Sequence, residues 1–270
     1  MPLPASRLHG GEAVSVSVVI PTWNRAATLS RAIVSAACQN PLEVVVIDDA
    51  STDDTPGIVE QLRGVYPCIR YVRHPEKSAD WQEAAAGVYP TLLGSHVICM
   101  GADDSLTDGV VDSVNRHPDA AVIFHDYWCS DTNAVIRGSV FMGFEQVTPM
   151  TPDEARHRLL TYPYASETGI GSGIRRDCLQ WLVAHKFWRM GPWSDAIGYA
   201  VVAALWGCVF VPGAGAIFAI DDAGYGARGR EGAEAPAYHQ ACREFLAGVN
   251  LPAALKVAIL HKRGIHAHAA

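Results

Sequence analysis

A single large α/β fold, with a mainly parallel sheet and helices on both faces, is predicted by three features of the 270-residue chain. Runs of β-branched residues alternate with segments of helical apolar spacing over the first 125 positions, as successive β-α-β units require. The run Val97-Ile98-Cys99-Met100 carries no charge, which suits a strand covered on both faces, and Leu42-Glu43-Val44-Val45-Val46-Ile47 is a second β-branched run. Each of them ends abruptly in acids, and in open α/β sheets the crevice outside the strands' carboxyl ends is where ligands bind.

The first strand spans Ala13 to Ile20 and is expected to stop at Pro21-Thr22-Trp23-Asn24-Arg25, since proline sits poorly in a strand. Leu29, Ile33, Ala36 and Ala37 recur at helical spacing, giving an amphipathic helix that ends before Asn40-Pro41. Leu42 to Ile47 forms the second strand, closed by Asp48 and Asp49, and the next helix takes Thr55 as cap with Pro56 at its first position. A third strand is expected at Ile69 to Val72, a helix from Ala79 to Tyr89, and a fourth strand running into Gly101-Ala102-Asp103-Asp104. Thr107-Asp108 reads as the cap of a helix near Gly109 to Asn115, followed by a strand from Ala120 to Phe124. Beyond this the pattern loosens into polar and aromatic segments, 126–137 and 149–168, between weaker elements.

The 25 residues from Ala196 to Ile220 carry no charge and are long enough for a membrane span. Gly207, Pro212, Gly213 and Gly215 interrupt them, so the expectation is a soluble protein. The stretch then parses as a buried helix to Trp206, a strand from Cys208 to Val211, a Pro-Gly turn and a second strand. Gly224, Gly226, Gly229 and Gly232, interleaved with Arg228 and Arg230, read as a mobile loop.

Composition narrows the function classes. A net charge of -7 with only 21 scattered Lys and Arg excludes a broad nucleic-acid surface, which needs clustered cations. Seven cysteines, odd in number and without a Cys-x-x-Cys, indicate neither a disulfide framework nor a zinc site, and point to a reducing compartment. The first ten residues lack the apolar segment of a signal peptide, so a cytoplasmic location is expected. Leu251 to Arg263 is amphipathic and basic, with Lys256, His261, Lys262 and Arg263, either a solvated helix face or a peripheral contact with the inner face of a membrane.

The adjacent acids Asp103 and Asp104 admit two readings. Neighbouring carboxylates repel unless a cation joins them, and a hard divalent cation with oxygen ligands does so. Acids after a strand also simply make turns or cap helices.

Three loops of one sheet now carry acids or an aromatic ring: Pro21-Thr22-Trp23-Asn24-Arg25, Asp48-Asp49-Ala50-Ser51-Thr52-Asp53 and Gly101-Ala102-Asp103-Asp104. Their order and spacing resembles the GT-A (Rossmann-like) glycosyltransferases of the inverting family 2. In that family a strand runs into Pro-Thr-aromatic-Asn-Arg, a second into D-D-G-S-T-D-x-T, and a later one into a D-x-D-D type motif. The match covers about residues 15 to 110, and Val46 to Thr55 is its most specific part.

The resemblance implies a nucleotide-diphosphate sugar donor, most simply a UDP-sugar, and a hydroxyl acceptor on a glycan, a lipid-linked glycan or a small molecule. Pro21, Thr22, Trp23, Asn24, Arg25, Asp48 and Asp49 fall in its nucleotide-binding loops. Trp23 stands where the family stacks an aromatic on the base, and Asp49 where a carboxylate accepts from the uracil N–H. Asp103 resembles the ribose contact, and Asp104 the ligand of a Mn2+ or Mg2+ ion at the diphosphate. The inverting reaction needs a base, and Asp195 in Gly191-Pro192-Trp193-Ser194-Asp195 fits the family's late acid, with a helix cap as the plainer role. Asp221 and Asp222 are the alternatives, and Glu167 and Trp193 are candidates for the acceptor side. The resemblance divides the chain into an N-terminal extension (1–12), a nucleotide-sugar-binding half (13–125), an acceptor-binding and catalytic half (126–250) and a basic tail (251–270).

Two departures stand out. Gly101 occupies the place where many members have a further acid, and the family's Gly-x-x-x-Ala-Arg-Asn pattern is replaced by His74 to Trp81. Lys77 in that segment is a candidate phosphate contact or an ordinary exposed lysine. Two competing functions remain: a sugar nucleotidylyltransferase, which would need a glycine-rich basic loop after the first strand, and a non-catalytic nucleotide- or magnesium-binding regulatory domain, which would leave the second half of the chain unexplained.

Overall fold

The computed structural model describes residues 14–78, 81–130, 136–139, 143–162, 169, 171–219, 234–262 and 265. The N-terminal extension, Glu167, Asp221, Asp222, the glycine- and arginine-rich stretch 224–232 and Arg263 lie outside them.

The chain opens with three parallel β-α units: β1 (Val16–Thr22), α1 (Ala26–Ala37), β2 (Glu43–Asp48), α2 (Thr55–Arg63), β3 (Ile69–Arg73) and α3 (Trp81–Val88). β4 (His96–Cys99) follows, then a two-residue β5 (Ser105–Leu106) and α4 (Val110–Asn115). β6 (Val122–Ser130), β7 (Ile136–Ser139), β8 (Thr148–Met150), α5 (Pro152–Thr161), β9 (Gly173–Arg175) and α6 (Arg176–Ala184) lead to a kinked 3₁₀ segment, Phe187–Trp193. α7 (Ser194–Trp206), β10 (Cys208–Ala219), α8 (Ala235–Gly248) and α9 (Ala253–His261) complete the described elements.

The ten described strands belong to one sheet, whose main path is β3-β2-β1-β4-β9-β6-β10-β5. β1 to β4 are parallel, as are β6 and β10, while the three-residue β9 lies antiparallel between β4 and β6. Residue 125, where the sequence suggested a division into halves, lies inside β6.

Alternation along the strands builds two cores. Val18, Ile20, Val44 and Val46 face α1, α2 and α4, whereas Val19, Val45, Ile47 and Val97 face the layer formed by α3 and α5 to α9. α7 is apolar nearly all round, and Ala196 to Ala204 are buried without exception, the expected state of a helix with no polar face. No described helix is long and apolar enough to cross a membrane.

Several local expectations are corrected. β1 continues through Pro21 to Thr22, because so near its end a proline forfeits only its own N–H. Asp54, not Thr55, is the cap residue of α2, and Gly109, in a left-handed conformation, replaces Thr107-Asp108 as the cap of α4. The stretch after Gly207 is one strand, β10, in which Pro212 and Gly213 form a bulge between Val211 and Ala214 rather than a chain-reversing turn. In the tail, Leu255, Ile259 and Leu260 of α9 are buried, and the Lys262 ammonium donates to the carbonyls of Leu159 and Tyr162 at the end of α5. That lysine caps a neighbouring helix rather than facing outward.

Candidate active site

Because β1, β2 and β4 are parallel, the three motif loops emerge at the same edge of the sheet. The first two are clamped together by side chains. Asn24 donates its N–H to Ser51 Oγ at 2.9 Å and accepts from the Thr52 N–H at 2.8 Å, while Asp53 accepts from the N–H of Ala26, the first residue of α1, at 3.0 Å. Asn24 and Asp53 are thereby spent on positioning the loops.

Asp48 is fully buried and likewise committed. It accepts from the Ser51 N–H at 2.8 Å and the Tyr71 hydroxyl at 2.5 Å, and Arg73 Nε lies at 3.4 Å. The sequence placed it among nucleotide contacts; in the structure its carboxylate holds up the loop. Asp49, beside it, is also buried, and Oδ1 accepts from both the N–H and hydroxyl of Ser78 at 2.9 and 2.7 Å. Oδ2 has no hydrogen-bond partner, the Lys77 ammonium being 3.7 Å away, beyond hydrogen-bond reach. That ammonium also lies 3.4 Å from the centre of the Trp23 ring, and Trp23 is 41% exposed. Lys77 thus caps an aromatic face and an acid at once. The Thr22 hydroxyl, at the same strand end, is a second buried oxygen without a partner.

Ala50, between these acids and Ser51, has φ of 59°. A β-carbon is disfavoured there by about 1–2 kcal/mol. Ala50→Gly is accordingly expected to stabilise the fold by about 1 kcal/mol, read as a higher urea midpoint with unchanged slope; a lower midpoint would contradict the strain.

The second acid pair also divides. Asp104 is 2% exposed and turned inward, with Oδ2 accepting from the Gly101 N–H at 2.9 Å and Oδ1 from the Ala219 N–H at 3.0 Å. Burial, reinforced by the nearby Asp103 charge, pushes its carboxyl up to about 7 against the lowering effect of those N–H groups. This corrects the expectation of a side chain standing outside the strand. Asp103 is the outward-facing member; its Oδ2 lies 3.9 Å from Arg25 Nε, and its carbonyl accepts from Arg31 at 2.7 Å.

Gly101 explains its own presence. A β-carbon there would lie 2.7 Å from Asp103 Oδ1 and 2.7 Å from Asp104 Oδ2. A further acid would collide with both carboxylates. Two neighbouring carboxylates are hard oxygen donors of the kind manganese or magnesium takes. No group of three or more His, Cys, Asp or Glu suited to a metal occurs among the described residues, so these two would share the cation with diphosphate oxygens and water.

Asp195 occupies the second position of α7, after the cap residue Trp193, and still satisfies a first-turn donor of that helix. Oδ1 accepts from the Ala196 N–H at 2.7 Å and Oδ2 from the Gly169 N–H at 2.8 Å. The acid stands near the exit of β4. The Cys99 thiol there is pushed up to about 12 by burial, and the Asp195 charge adds to the shift. Trp193 is half-buried, and its Nε1–H is enclosed without a partner. Ser78, Arg31, Tyr71 and Gly169 were not singled out in the sequence, because each reaches the site across 20 residues or more and no local spacing announces it.

The family model of Glycosyl transferase family 2 matches residues 17–182. Among curated relatives, a GalNAc(5)-diNAcBac-PP-undecaprenol beta-1,3-glucosyltransferase of Campylobacter jejuni is 30% identical over 101 residues, covering 37% of this chain and 33% of that protein. An uncharacterized protein of Mycobacterium tuberculosis is 28% identical over 118 residues, covering 41% and 34%. The chain thus spans about a third of the length of the curated relatives it matches. Among solved structures, Staphylococcus aureus TarS 1-349 in complex with UDP-GlcNAc aligns with a TM-score of 0.66 at 18% identity, over 92% of this chain and 70% of that one. The mannosyltransferase PcManGT of Pyrobaculum calidifontis, in complex with GDP-Man and Mn2+, aligns with a TM-score of 0.61 at 18% identity, over 93% and 69%. At these identities the structural likeness is one of fold, the GT-A arrangement.

Proposed function

The chain belongs to glycosyl transferase family 2, and from that premise we propose that it is a metal-dependent, inverting enzyme transferring a sugar from a UDP-sugar to a hydroxyl acceptor. The observation that carries the uridine reading is Asp49. Its Oδ2 is a buried acceptor that no hydrogen bond satisfies, faced by the Lys77 ammonium at 3.7 Å, beside the exposed ring of Trp23. A buried carboxylate oxygen without a donor is costly, and a base stacked on Trp23 that turns an N–H toward it relieves that cost.

In this reading Trp23 and Asp49 hold the base, and displacement of the Lys77 ammonium from both frees it to meet the diphosphate. Asp103 and Asp104 hold the cation, whose contribution when bound is to offset charge on the departing nucleotide. Asp195 takes the proton of the acceptor hydroxyl as its oxygen attacks the anomeric carbon, and the bond to the diphosphate breaks with its electron pair leaving on the nucleotide. The two N–H groups fixing the carboxylate keep it in one orientation for that step. Trp193, with its enclosed N–H, is assigned to the acceptor side. A lipid-linked glycan, as named for the Campylobacter relative, is one such acceptor, and it agrees with a cytoplasmic enzyme working at the inner membrane face.

A thermal-shift series with uridine, guanosine and adenosine diphosphates and their sugars, with and without manganese, tests the reading, because ligands that bind only the native state raise its midpoint. Uridine nucleotides should give the largest rise, and only with the cation. Equal shifts from adenosine diphosphate would remove Asp49 as a reader of the base. Trp23→Ala should weaken UDP binding by about 1–3 kcal/mol in calorimetry, the usual worth of a base–aromatic stack, and unchanged affinity would remove the stack.

A further inference from the structure

We propose that Gly169 is a positioning residue for the transfer step: its N–H aims the Asp195 carboxylate, and the absence of a side chain there is what lets it do so. The inference rests on the reading of Asp195 as the base.

Three contacts carry it. The Gly169 N–H lies 2.8 Å from Asp195 Oδ2. A β-carbon on Gly169 would stand 2.9 Å from Asp195 Cβ and 2.9 and 3.0 Å from Cε2 and Cδ2 of Tyr199. Neither neighbour can yield. Asp195 Cβ is fixed by the backbone of α7, and Tyr199, one turn further along that helix, is 2% exposed, with its ring among buried residues. The fully enclosed Tyr199 hydroxyl is raised well above its usual range by burial and by the Cys99 thiol it bonds. Buried on every side, the ring has no room to swing aside. A methyl group at position 169 must push the 169 backbone away from α7, which lengthens the bond to Oδ2 and loosens the aim of the carboxylate.

The step affected is proton transfer alone. With water as acceptor, Asp195 takes a proton as the water oxygen bonds to the anomeric carbon and UDP leaves with the electron pair. With azide, an anion, the nitrogen bonds to the same carbon and the same C–O bond breaks, with no proton to remove. A misaimed base therefore slows attack by water and spares attack by azide.

The experiment compares the full chain, Gly169→Ala and Asp195→Asn, with UDP-glucose and UDP-N-acetylglucosamine as donors and manganese present. UDP release is followed in buffer and in sodium azide, and UDP affinity is measured by calorimetry. Gly169→Ala is expected to bind UDP as the parent does, to lose hydrolysis by about 10²-fold, as Asp195→Asn does, and to recover UDP release in azide. Normal hydrolysis in Gly169→Ala beside an inactive Asp195→Asn overturns the positioning role. So does a loss that azide fails to restore, which would mark a general defect of the fold. Normal hydrolysis in Asp195→Asn instead removes the base itself, and with it the proposal.

The contact is also read without any donor. The Gly169 amide resonance should shift in Asp195→Asn, and an amide that does not respond overturns the proposal whatever the rates. A parent that releases no UDP from either sugar counts against the donor assigned above, and leaves the amide measurement to decide the contact.

Discussion

Asp104→Asn is expected to lower folding stability by about 1–3 kcal/mol and to abolish the extra stabilisation that manganese confers with UDP. Each Asp104 oxygen accepts a backbone N–H, one from Gly101 and one from Ala219. An asparagine can present only one oxygen, so its NH2 must face one of those N–H groups, leaving two donors opposed at a buried side chain. Relief of the buried charge offsets part of this, because burial already holds the carboxyl near about 7. The bond to Ala219 also ties the end of β10 to the acid loop, so its loss loosens both. Asp103→Asn makes the contrast: its carboxylate is partly exposed and only 3.9 Å from Arg25, so stability should change by less than about 0.5 kcal/mol while manganese-dependent UDP binding is lost. Urea unfolding and calorimetry on both variants check the pair. Parent-like stability in Asp104→Asn would show that its inward hydrogen bonds do not hold the loop.

The second large effect is on acid stability. Burial pushes both His96 and His125 down to about 4, partly opposed by the carbonyls of Ala120 and Gly171 that each ring faces. A histidine with its folded pKa below its unfolded value of about 6.5 binds protons more tightly when unfolded, so its contribution is complete above that pH and is lost as pH falls toward about 4. The loss between about pH 7 and about pH 5 is on the order of 2 kcal/mol for each ring. Asp104 titrates with the opposite sign, since its carboxyl is raised, and would hide much of the change. The measurement is therefore made in Asp104→Asn, following the urea midpoint across that range. A flat midpoint would mean that the two rings are protonated in the folded state.

The acid pairs show what the sequence made legible and what it did not. Spacing alone located Asp48-Asp49 and Asp103-Asp104 at strand ends, and parallel pairing put both at one edge of the sheet. It did not show how each pair divides its work. Successive residues leaving a strand point in different directions, so in each pair one carboxylate turns inward to hold the loop, Asp48 and Asp104, and the other, Asp49 and Asp103, is left facing the site. Which member turns depends on distant donors, Tyr71 for one and Ala219 for the other, and those partners carry no local signal. β9 was illegible for another reason: three residues including Gly173 make no periodic pattern. Pro212-Gly213 was misread because a turn and a bulge draw on the same residues, and only the long pairing of β10 with β6 separates them.

The placement of β9 bears on how the chain is assembled during synthesis. β4 ends at Cys99, yet the strand that covers its open side ends at Arg175, 76 residues later. At about 5–20 residues per second, roughly 4–15 seconds separate the emergence of the two from a ribosome. Through that interval β3, β2, β1 and β4 can already pair, and the apolar edge of β4 stands exposed as a template for any other extended chain. A nascent chain in this window is the natural client of a holding chaperone. A fragment cut at residue 125 would keep that edge permanently and is expected to aggregate rather than serve as an independent nucleotide-binding module.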